Sequence, residues 1–322
     1  MEKISPNVVF IISSGHSGST LLDLIMGTLP EVMSTGELVW LPWQVYRDGK
    51  ICTADPKQDI CTCLKTFREC SEWGKVWHSL SLKTNQDIFK DPLSYNIFFL
   101  REKKYTSKIT LFKKILRKIM KLSILNNLSF LTNSIIKKEK EAIDNTLTLY
   151  DTIAEKTGKK YIVDSSKDIL RAYAIWKMRP ESTKIILLHK DAKSYAASGK
   201  HWGRSIPVSQ NLESWLHDYE KFFIPIVKKM SIKNTISVKY EDMTKDLEKT
   251  RDRLASFIGV SSSGSANIDT SKMHIVAGNP MRFKGIINIK YDERWTTELN
   301  EEEKKIAEEY EFKMSSLMRF IN

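Results

Sequence analysis

The sequence predicts an α/β protein with a P-loop-like, three-layer fold around a central, mostly parallel sheet. Apolar, β-branched runs of strand length alternate along the chain with stretches of helical period, which is typical of parallel sheets covered by helices. A loop rich in glycine and serine follows the first of these runs. The 322 residues are 41% hydrophobic and 28% charged, which is enough to bury a sizeable core.

Val8–Ile12 is a continuous apolar run and predicts a buried first strand. The later predicted strands are Lys160–Val163, Lys184–His189 and Thr235–Lys239, and the predicted helices are Thr20–Gly27, Ile169–Met178, Ala192–Gly199, Leu212–Met230 and Leu247–Ile258. Residues 80–157 interrupt this alternation. We therefore expect a single domain (1–322) with a helical, basic insertion at about 80–157.

The composition excludes several classes of protein. The sequence has no run of ~18 apolar residues, so no membrane-spanning helix is predicted. The polar residues Met1–Pro6 lead directly into the first strand without the pattern of a secretory signal. Four cysteines are too few for a disulfide scaffold. A cytoplasmic location is expected on these grounds.

The positive charge of the chain is concentrated in one segment. Residues 101–140 contain twelve Lys and Arg against two Glu, which accounts for +10 of the formal net charge of +12. Within this segment, residues 111–121 alternate apolar and basic side chains at helical spacing and predict an amphipathic helix. The favoured interpretation is a cover over the active-site cleft; contact with an anionic membrane surface or an acidic acceptor stays open. Nucleic-acid binding is not predicted, because no aromatic stacking pattern accompanies the charge.

The cysteines form a cluster in the sequence. Cys52, Cys61, Cys63 and Cys70 lie within nineteen residues, and their pairing as disulfides, binding of zinc and free thiols all stay open. Cys-x-Cys is not the usual paired spacing of a zinc site, so no metal site is predicted. The histidines show no metal-ligand spacing either: His78, His189, His201, His217 and His274.

The loop Ser13–Thr20 connects the first strand to the first helix and predicts an anion site, because backbone N–H groups at a helix N-terminus favour negative charge. Its spacing is close to that of the P-loop NTPases, but Ser19 stands where those proteins have lysine. This counts against triphosphate chemistry, although Asp164 at a strand end is placed to imitate a magnesium-binding acid. A tight turn without a ligand is the simpler alternative.

Five segments, taken together, resemble one family. Gly15–Leu22 (GHSGSTLL), followed by Ser34–Leu38 (STGEL), is similar to the 5′-phosphosulfate loop of sulfotransferases that use 3′-phosphoadenosine 5′-phosphosulfate (PAPS). The other segments, in the family's order, are KDAKSYAAS at 190–198, YEDM at 240–243, GNPMRF at 278–283 and DERW at 292–295. The likeness is to the bacterial branch related to carbohydrate and tyrosylprotein sulfotransferases.

The resemblance implies a set of residues that bind PAPS. Gly15, His16, Ser17, Gly18, Ser19 and Thr20 would hold the 5′-phosphate, Lys190 and Ser198 the 3′-phosphate and Tyr240 the adenine, while Arg282, Lys284 and Gly285 would close over the 3′-phosphate. Two positions depart from the family. His16 stands where Arg or Lys is usual, and Lys190 replaces an arginine, so it supplies charge without a bidentate fork.

The resemblance also implies two catalytic residues. Glu37 would be the base that takes the acceptor proton, and Lys167 would stabilise the bridging oxygen as its bond to sulfur breaks. His16 or His201 is the next candidate base, and His201 and Trp202, just after the predicted 3′-phosphate helix, are both placed to touch substrate. Simpler interpretations stay open: a cap for Glu37, solvated lysines at 167 and 190, and a core tyrosine at 240.

The predicted activity is in-line transfer of a sulfuryl group from PAPS to a hydroxyl or amine of a small-molecule or carbohydrate acceptor. No metal is expected to be required, because a sulfuryl group carries less charge than a phosphoryl group. Two rival functions are a P-loop kinase or NTPase, which requires ATP and magnesium, and a basic module that binds membranes or polyanions, whose affinity follows salt.

Overall fold

The structure is a computed structural model that describes residues 5–48, 59–84, 87–101, 111–128, 139–201, 203, 206–319 and 321. The strands are β1 (Asn7–Ile12), β2 (Val32–Ser34), β3 (Tyr161–Asp164), β4 (Thr183–His189), β5 (Thr235–Lys239), β6 (Ile268–Asp269) and β7 (Ile286–Ile287). The helices are α1 (Ser19–Met26), α2 (Leu41–Arg47), α3 (Trp73–Thr84), α4 (Leu111–Leu125), α5 (Lys140–Thr157), α6 (Ile169–Met178), α7 (Ala192–His201), α8 (Val208–Asp218), α9 (Ile224–Val227), α10 (Tyr240–Lys245), α11 (Leu247–Ile258), α12 (Trp295–Glu298) and α13 (Glu301–Met318).

The main sheet is parallel throughout. Within the described residues its strand order is β2-β3-β1-β4-β5. Phe10 of β1 pairs with Asp164 of β3 on one side and with Ile185 of β4 on the other. The loops that follow β1, β3 and β4 therefore leave the same edge of the sheet side by side, which is where open α/β sheets bind ligands.

The sheet is buried on both faces. Successive side chains of a strand point to opposite faces, and β1 places Val8, Phe10 and Ile12 in one apolar core and Val9 and Ile11 in another. The helices that cover these two faces make the protein three-layered, because a parallel sheet needs apolar cover on each side. The predicted α/β class with a central parallel sheet is confirmed.

Most predicted elements agree with the structure. The bounds of α6, β5 and α11 are those predicted, and the other predicted strands start or end within one residue of the observed ones. The region predicted as one helix, Leu212–Met230, is α8 and α9 joined through a π-helical turn at Tyr219–Phe223. Strand β2 and helices α10 and α13 were not predicted.

Helix α4 is the predicted amphipathic basic helix. Its buried side chains, among them Leu116, Met120 and Ile124, face the core, and the helix contacts α6 and α9. At the N-terminal end of the helix, Leu111 and Phe112 are 73% and 62% exposed. Across the described helices, apolar stretches are too short or too interrupted by charge for a bilayer crossing.

Candidate functional site

A cavity of about 800 Å³ lies at the carboxyl edge of the sheet, beside the loops that follow β1, β3 and β4. Its volume is in the usual range for a small-molecule site. Many of the predicted site residues line it: Gly15, His16, Gly18, Ser19, Thr20, Glu37, Lys167, Lys190, Ser198, Tyr240 and Lys284, together with His201. The structure thus brings together residues that are up to 269 positions apart in the sequence.

The loop between β1 and α1 (residues 13–18), which we call the anion loop, has a backbone shaped for anions. His16 and Gly18 have positive φ angles of 64° and 91°, and Gly18 is the residue before the first turn of α1. The first N–H groups of a helix have no partner within the helix, and the helix dipole gives them added positive character. Ser19 and Thr20 supply hydroxyls at the same place, so this end of the cavity favours a phosphate or similar anion.

Tyr240 lies directly on this loop. A Cβ atom at Gly18 would come within 2.4 Å of Tyr240 Cδ2, so only glycine allows the aromatic ring to approach the backbone here. Tyr240 is the first residue of α10, directly after β5. The ring therefore forms one wall of the cavity next to the anion loop.

The segment that carries Glu37 is held between two neighbours. Gly36 has a φ of 73°, and a Cβ there would lie 2.4 Å from the carbonyl oxygen of Ala277. The N–H of Glu37 donates to that carbonyl at 3.2 Å, and the carbonyl of Gly36 accepts from Ser165 N at 2.9 Å. Strand β3 and residues near Ala277 thus fix the backbone on both sides and aim Glu37 into the cavity.

Glu37 and Lys167 form an ion pair in the cavity. Lys167 Nζ lies 2.5 Å from Glu37 Oε1 and 3.4 Å from Ser19 Oγ. The other carboxylate oxygen, Glu37 Oε2, accepts from Trp40 Nε1 at 3.2 Å. One lysine therefore connects the carboxylate to the first turn of α1.

This environment keeps Glu37 ionised. Burial raises its pKa, but the charge and hydrogen bond of Lys167, the hydrogen bond of Trp40 and the charge of Arg101 together lower the pKa below its ordinary value of 4.5. At neutral pH the side chain is a carboxylate, which is the form that accepts a proton.

Lys167 has a backbone conformation that is uncommon for its residue type, with a φ of 57°. The next residue, Asp168, caps α6 by accepting from Leu170 N and Arg171 N. Its carboxylate is also paired with Arg101 Nε at 2.8 Å and Arg117 Nη1 at 3.3 Å. Sequence reasoning missed these two arginines, through which residues 101 and 111–125 stabilise the turn that presents Lys167.

A second cluster lies at the other end of the cavity. Lys190 is only 3% exposed, and its Nζ lies 2.9 Å from Ser198 Oγ, 3.0 Å from Asp292 Oδ2 and 4.4 Å from the centre of the Tyr240 ring. Arg294 holds the same Asp292 carboxylate with two hydrogen bonds of 2.7 Å. The eight-residue spacing of Lys190 and Ser198 predicted their proximity, whereas the part played by Asp292 was not predicted.

Three predicted cofactor residues do not line the cavity. Arg282 is buried, and its Nη1 donates to the carbonyls of Ile60 at 3.0 Å and Ile275 at 2.9 Å. Its guanidinium thus binds backbone carbonyls in the interior, whereas the sequence predicted that Arg282 closes over the 3′-phosphate. Gly285 N donates to Thr270 Oγ1 at 3.0 Å and its carbonyl accepts from Thr270 N at 2.9 Å, and Ser17, within the loop after β1, is fully buried. Lys284 does line the cavity.

Asp164 does not have the environment of a magnesium-binding acid. It is fully buried, Oδ1 accepts from Ser166 N at 2.9 Å, and Oδ2 accepts from Tyr150 Oη at 2.7 Å and from Arg171. Both oxygens are therefore bonded to the protein itself. The suggestion from the sequence that Asp164 imitates the acid of an NTPase is wrong for this geometry.

Asp23 in α1 is a buried carboxyl group that sequence reasoning missed. It accepts from Ser34 Oγ at 2.8 Å and from Ser165 Oγ at 2.9 Å, and burial raises its pKa to about 7. These bonds join α1 to the ends of β2 and β3. They connect α1 to Ser34 and Ser165, which lie three and two residues before Glu37 and Lys167.

The basic helix is not a wall of this cavity. No described residue of 101–140 lines it, which differs from the predicted cover over the cleft. The helix contacts the support of the site, since its Arg117 pairs with Asp168, the residue after Lys167. The predicted contact of Trp202 with substrate lies outside the described residues, as does Cys52.

Solved structures with a similar fold include the sulfotransferase domain of the curacin biosynthetic pathway, with 14% identity, coverage of 94% of this chain and 97% of that one, and a TM-score of 0.48. The sulfotransferase domain of the Synechococcus PCC 7002 olefin synthase shows 16% identity, 96% coverage of each chain and a TM-score of 0.48. Sulfotransferase STF1 from Mycobacterium tuberculosis H37Rv shows 13% identity, 81% and 69% coverage and a TM-score of 0.44.

These neighbours are sulfotransferases. They bear the name of the family that the five sequence segments resemble. No protein-family model and no curated protein sequence matches the chain.

Proposed function

We propose that this protein is a sulfotransferase that moves a sulfuryl group from PAPS to a hydroxyl or amine of a small-molecule or carbohydrate acceptor. The observation that carries the proposal is the position of Lys167, between the Glu37 carboxylate at 2.5 Å and Ser19 Oγ at 3.4 Å. A base, a cation and an anion-binding helix terminus thus lie in one cavity. Transfer of a sulfuryl group between two oxygens needs these three groups.

The cavity fits a nucleotide with phosphates at both ends. The N–H groups and hydroxyls at Ser19 and Thr20 suit a 5′-phosphate. Lys190 and Ser198 suit a 3′-phosphate, because a buried lysine with a hydroxyl 2.9 Å away is a ready site for an anion. Tyr240 lies between the two clusters, in contact with Gly18 and within 4.4 Å of Lys190 Nζ, and suits the adenine.

When bound, PAPS supplies an activated sulfuryl group and a phosphate leaving group. Glu37, as a carboxylate, takes the proton from the acceptor oxygen or nitrogen as that atom bonds to sulfur. Lys167 holds positive charge beside Ser19, where the departing phosphate oxygen gains negative charge. The protein thus provides charge at the leaving side and a base at the acceptor side.

The arrangement also argues against the rival NTPase function. Ser19 stands in place of the P-loop lysine. Both carboxylate oxygens of Asp164 already accept hydrogen bonds, from Tyr150, Arg171 and Ser166. Neither a phosphate-binding lysine at that position nor a free acid for magnesium is therefore provided.

Incubation with ³⁵S-labelled PAPS and representative hydroxyl, amine and carbohydrate acceptors tests the proposal. We expect label to appear in at least one acceptor class, with one adenosine 3′,5′-bisphosphate released per transfer and without added magnesium. Consumption of ATP–magnesium, with PAPS untouched in the presence of all three classes, would contradict it.

A further inference from the structure

Three cysteines and one histidine converge outside the cavity. The sulfur atoms of Cys61, Cys63 and Cys70 and a ring nitrogen of His274 all lie within 4.8 Å of one another. Cys61 and Cys70 are buried, and Cys63 and His274 are partly buried. The three thiols are free, so no disulfide joins them.

The distances match the edges of a tetrahedron around one ion. Zinc–sulfur bonds of about 2.3 Å and zinc–nitrogen bonds of about 2.05 Å at tetrahedral angles place two sulfurs about 3.75 Å apart and a sulfur and a nitrogen about 3.6 Å apart. Here Cys61 Sγ is 3.6 Å from Cys70 Sγ, and His274 Nδ1 is 3.7 Å from Cys61 Sγ and 3.2 Å from Cys70 Sγ. These three distances fit one central ion, and Cys63 Sγ lies within 4.8 Å of the other three atoms.

The backbone around the cluster is arranged for thiolates. The N–H of Cys63 donates to the Cys61 sulfur, and the N–H of Lys65 donates to the Cys63 sulfur. The Cys70 sulfur accepts from the N–H groups of Glu72 and Trp73. Each sulfur thus has a backbone donor behind it, and outer hydrogen bonds of this kind fix the orientation of metal ligands and stabilise their charge.

We propose that Cys61, Cys63, Cys70 and His274 bind one Zn²⁺ ion in a closed, structural Cys₃His site. Four protein ligands leave no position for water, which distinguishes a structural zinc site from a catalytic one. The sequence did not predict it, because Cys61 and Cys63 lack the usual spacing and His274 lies 204 residues after Cys70.

The ion would join two distant segments that already meet. Trp73 Nε1 donates to the carbonyl of His274 at 2.8 Å. The Thr62 hydroxyl donates to the carbonyl of Met273 and accepts from the N–H of Ile275. Directly beyond His274, Val276 N donates to Thr35 O, and Ala277 accepts from the N–H of Glu37. Zinc would therefore anchor the segment that supports Glu37, although the site itself does not depend on the proposed function.

Elemental analysis of the full chain, purified under reducing conditions without chelators, tests this proposal. We expect about one zinc ion per chain, which is released when a mercurial reagent blocks the thiols. Cys70→Ser and His274→Ala should lose most of the zinc, whereas His78→Asn, which changes an exposed histidine outside the cluster, should keep it.

Cobalt provides a readout on the unaltered protein, in case the variants fail to fold. Co²⁺ bound after removal of zinc should give the intense visible bands of a tetrahedral site and a thiolate-to-cobalt charge-transfer band, and one equivalent of zinc should abolish both. Iron in place of zinc, a Cys61–Cys70 disulfide in the isolated protein, a weak octahedral cobalt spectrum, or full zinc content in folded Cys70→Ser would overturn the proposal.

Discussion

Glu37→Gln is expected to lower kcat by about 10²- to 10⁴-fold. Glutamine keeps the shape of the side chain, but its one acceptor oxygen can replace only one of the two carboxylate oxygens that accept from Trp40 and Lys167, and it cannot take the acceptor proton. Binding of adenosine 3′,5′-bisphosphate should stay equal or become slightly tighter, because Lys167 loses its negative partner. Initial rates of sulfuryl transfer and a bisphosphate titration on the same samples measure the two effects.

The pH dependence of kcat/KM is an independent test of Glu37 as the base. Because Lys167, Trp40 and Arg101 leave the pKa of Glu37 below 4.5, the base is lost only as pH falls through that lowered pKa. The acid limb of kcat/KM in the unaltered enzyme is therefore expected below pH 4.5, and the residual activity of Glu37→Gln should lack that limb.

Glu31→Gln is the matched control, since Glu31 is paired with Lys160 on the surface and lies outside the cavity. It should keep the kcat of the unaltered enzyme. If Glu37→Gln behaves like Glu31→Gln, the assignment of the base is wrong. If it loses bisphosphate binding together with activity, Glu37 shapes the nucleotide site instead.

Lys190→Met is expected to weaken binding of the bisphosphate by about 1.5–3 kcal/mol, or roughly 10- to 150-fold. Methionine keeps much of the volume against Tyr240 but removes the charge for the 3′-phosphate. It also leaves Asp292 with only Arg294 as its cationic partner, so that the remaining carboxylate repels the phosphate more strongly. Calorimetry measures the change, and Lys190→Arg should retain or improve affinity.

Lys193, three residues after Lys190 and in α7, offers a matched control, because its Nζ is paired with Glu308 and it does not line the cavity. Lys193→Met should bind the bisphosphate within about twofold of the unaltered protein, as an exposed ion pair contributes little. Adding Asp292→Asn to Lys190→Met should recover part of the lost affinity. Affinity within twofold in Lys190→Met would show that the 3′-phosphate lies elsewhere.

The sequence predicted the parts of the fold that have a strong local pattern. The apolar runs of β1, β4 and β5 are long enough to show strand character, and α6 and α11 have clear helical periods. Strand β2 has three residues and no period to detect. Helix α13 is mostly polar, so it lacks a strong apolar period. The sequence signal for this helix is the capping box of Asn300 and Glu303 at its start.

The sequence predicted those parts of the site whose residues lie within one short motif. The anion loop and the Lys190–Ser198 spacing are of this kind. The pairing of Glu37 with Lys167, of Asp168 with Arg101 and of Cys70 with His274 depends on how distant segments meet. Arg282 shows the opposite case, because its motif suggested a ligand, whereas the fold uses its guanidinium to bind backbone carbonyls.

The central claim is that the cavity binds a nucleotide with a 3′-phosphate rather than a triphosphate, and calorimetry tests it most directly. We expect adenosine 3′,5′-bisphosphate to bind more tightly than adenosine 5′-phosphate by at least about tenfold, because only the former carries the 3′-phosphate that we propose Lys190 and Ser198 to bind. ATP–magnesium should bind more weakly than the bisphosphate. Equal affinity for the two adenosine phosphates, or tighter binding of ATP–magnesium, would contradict the account.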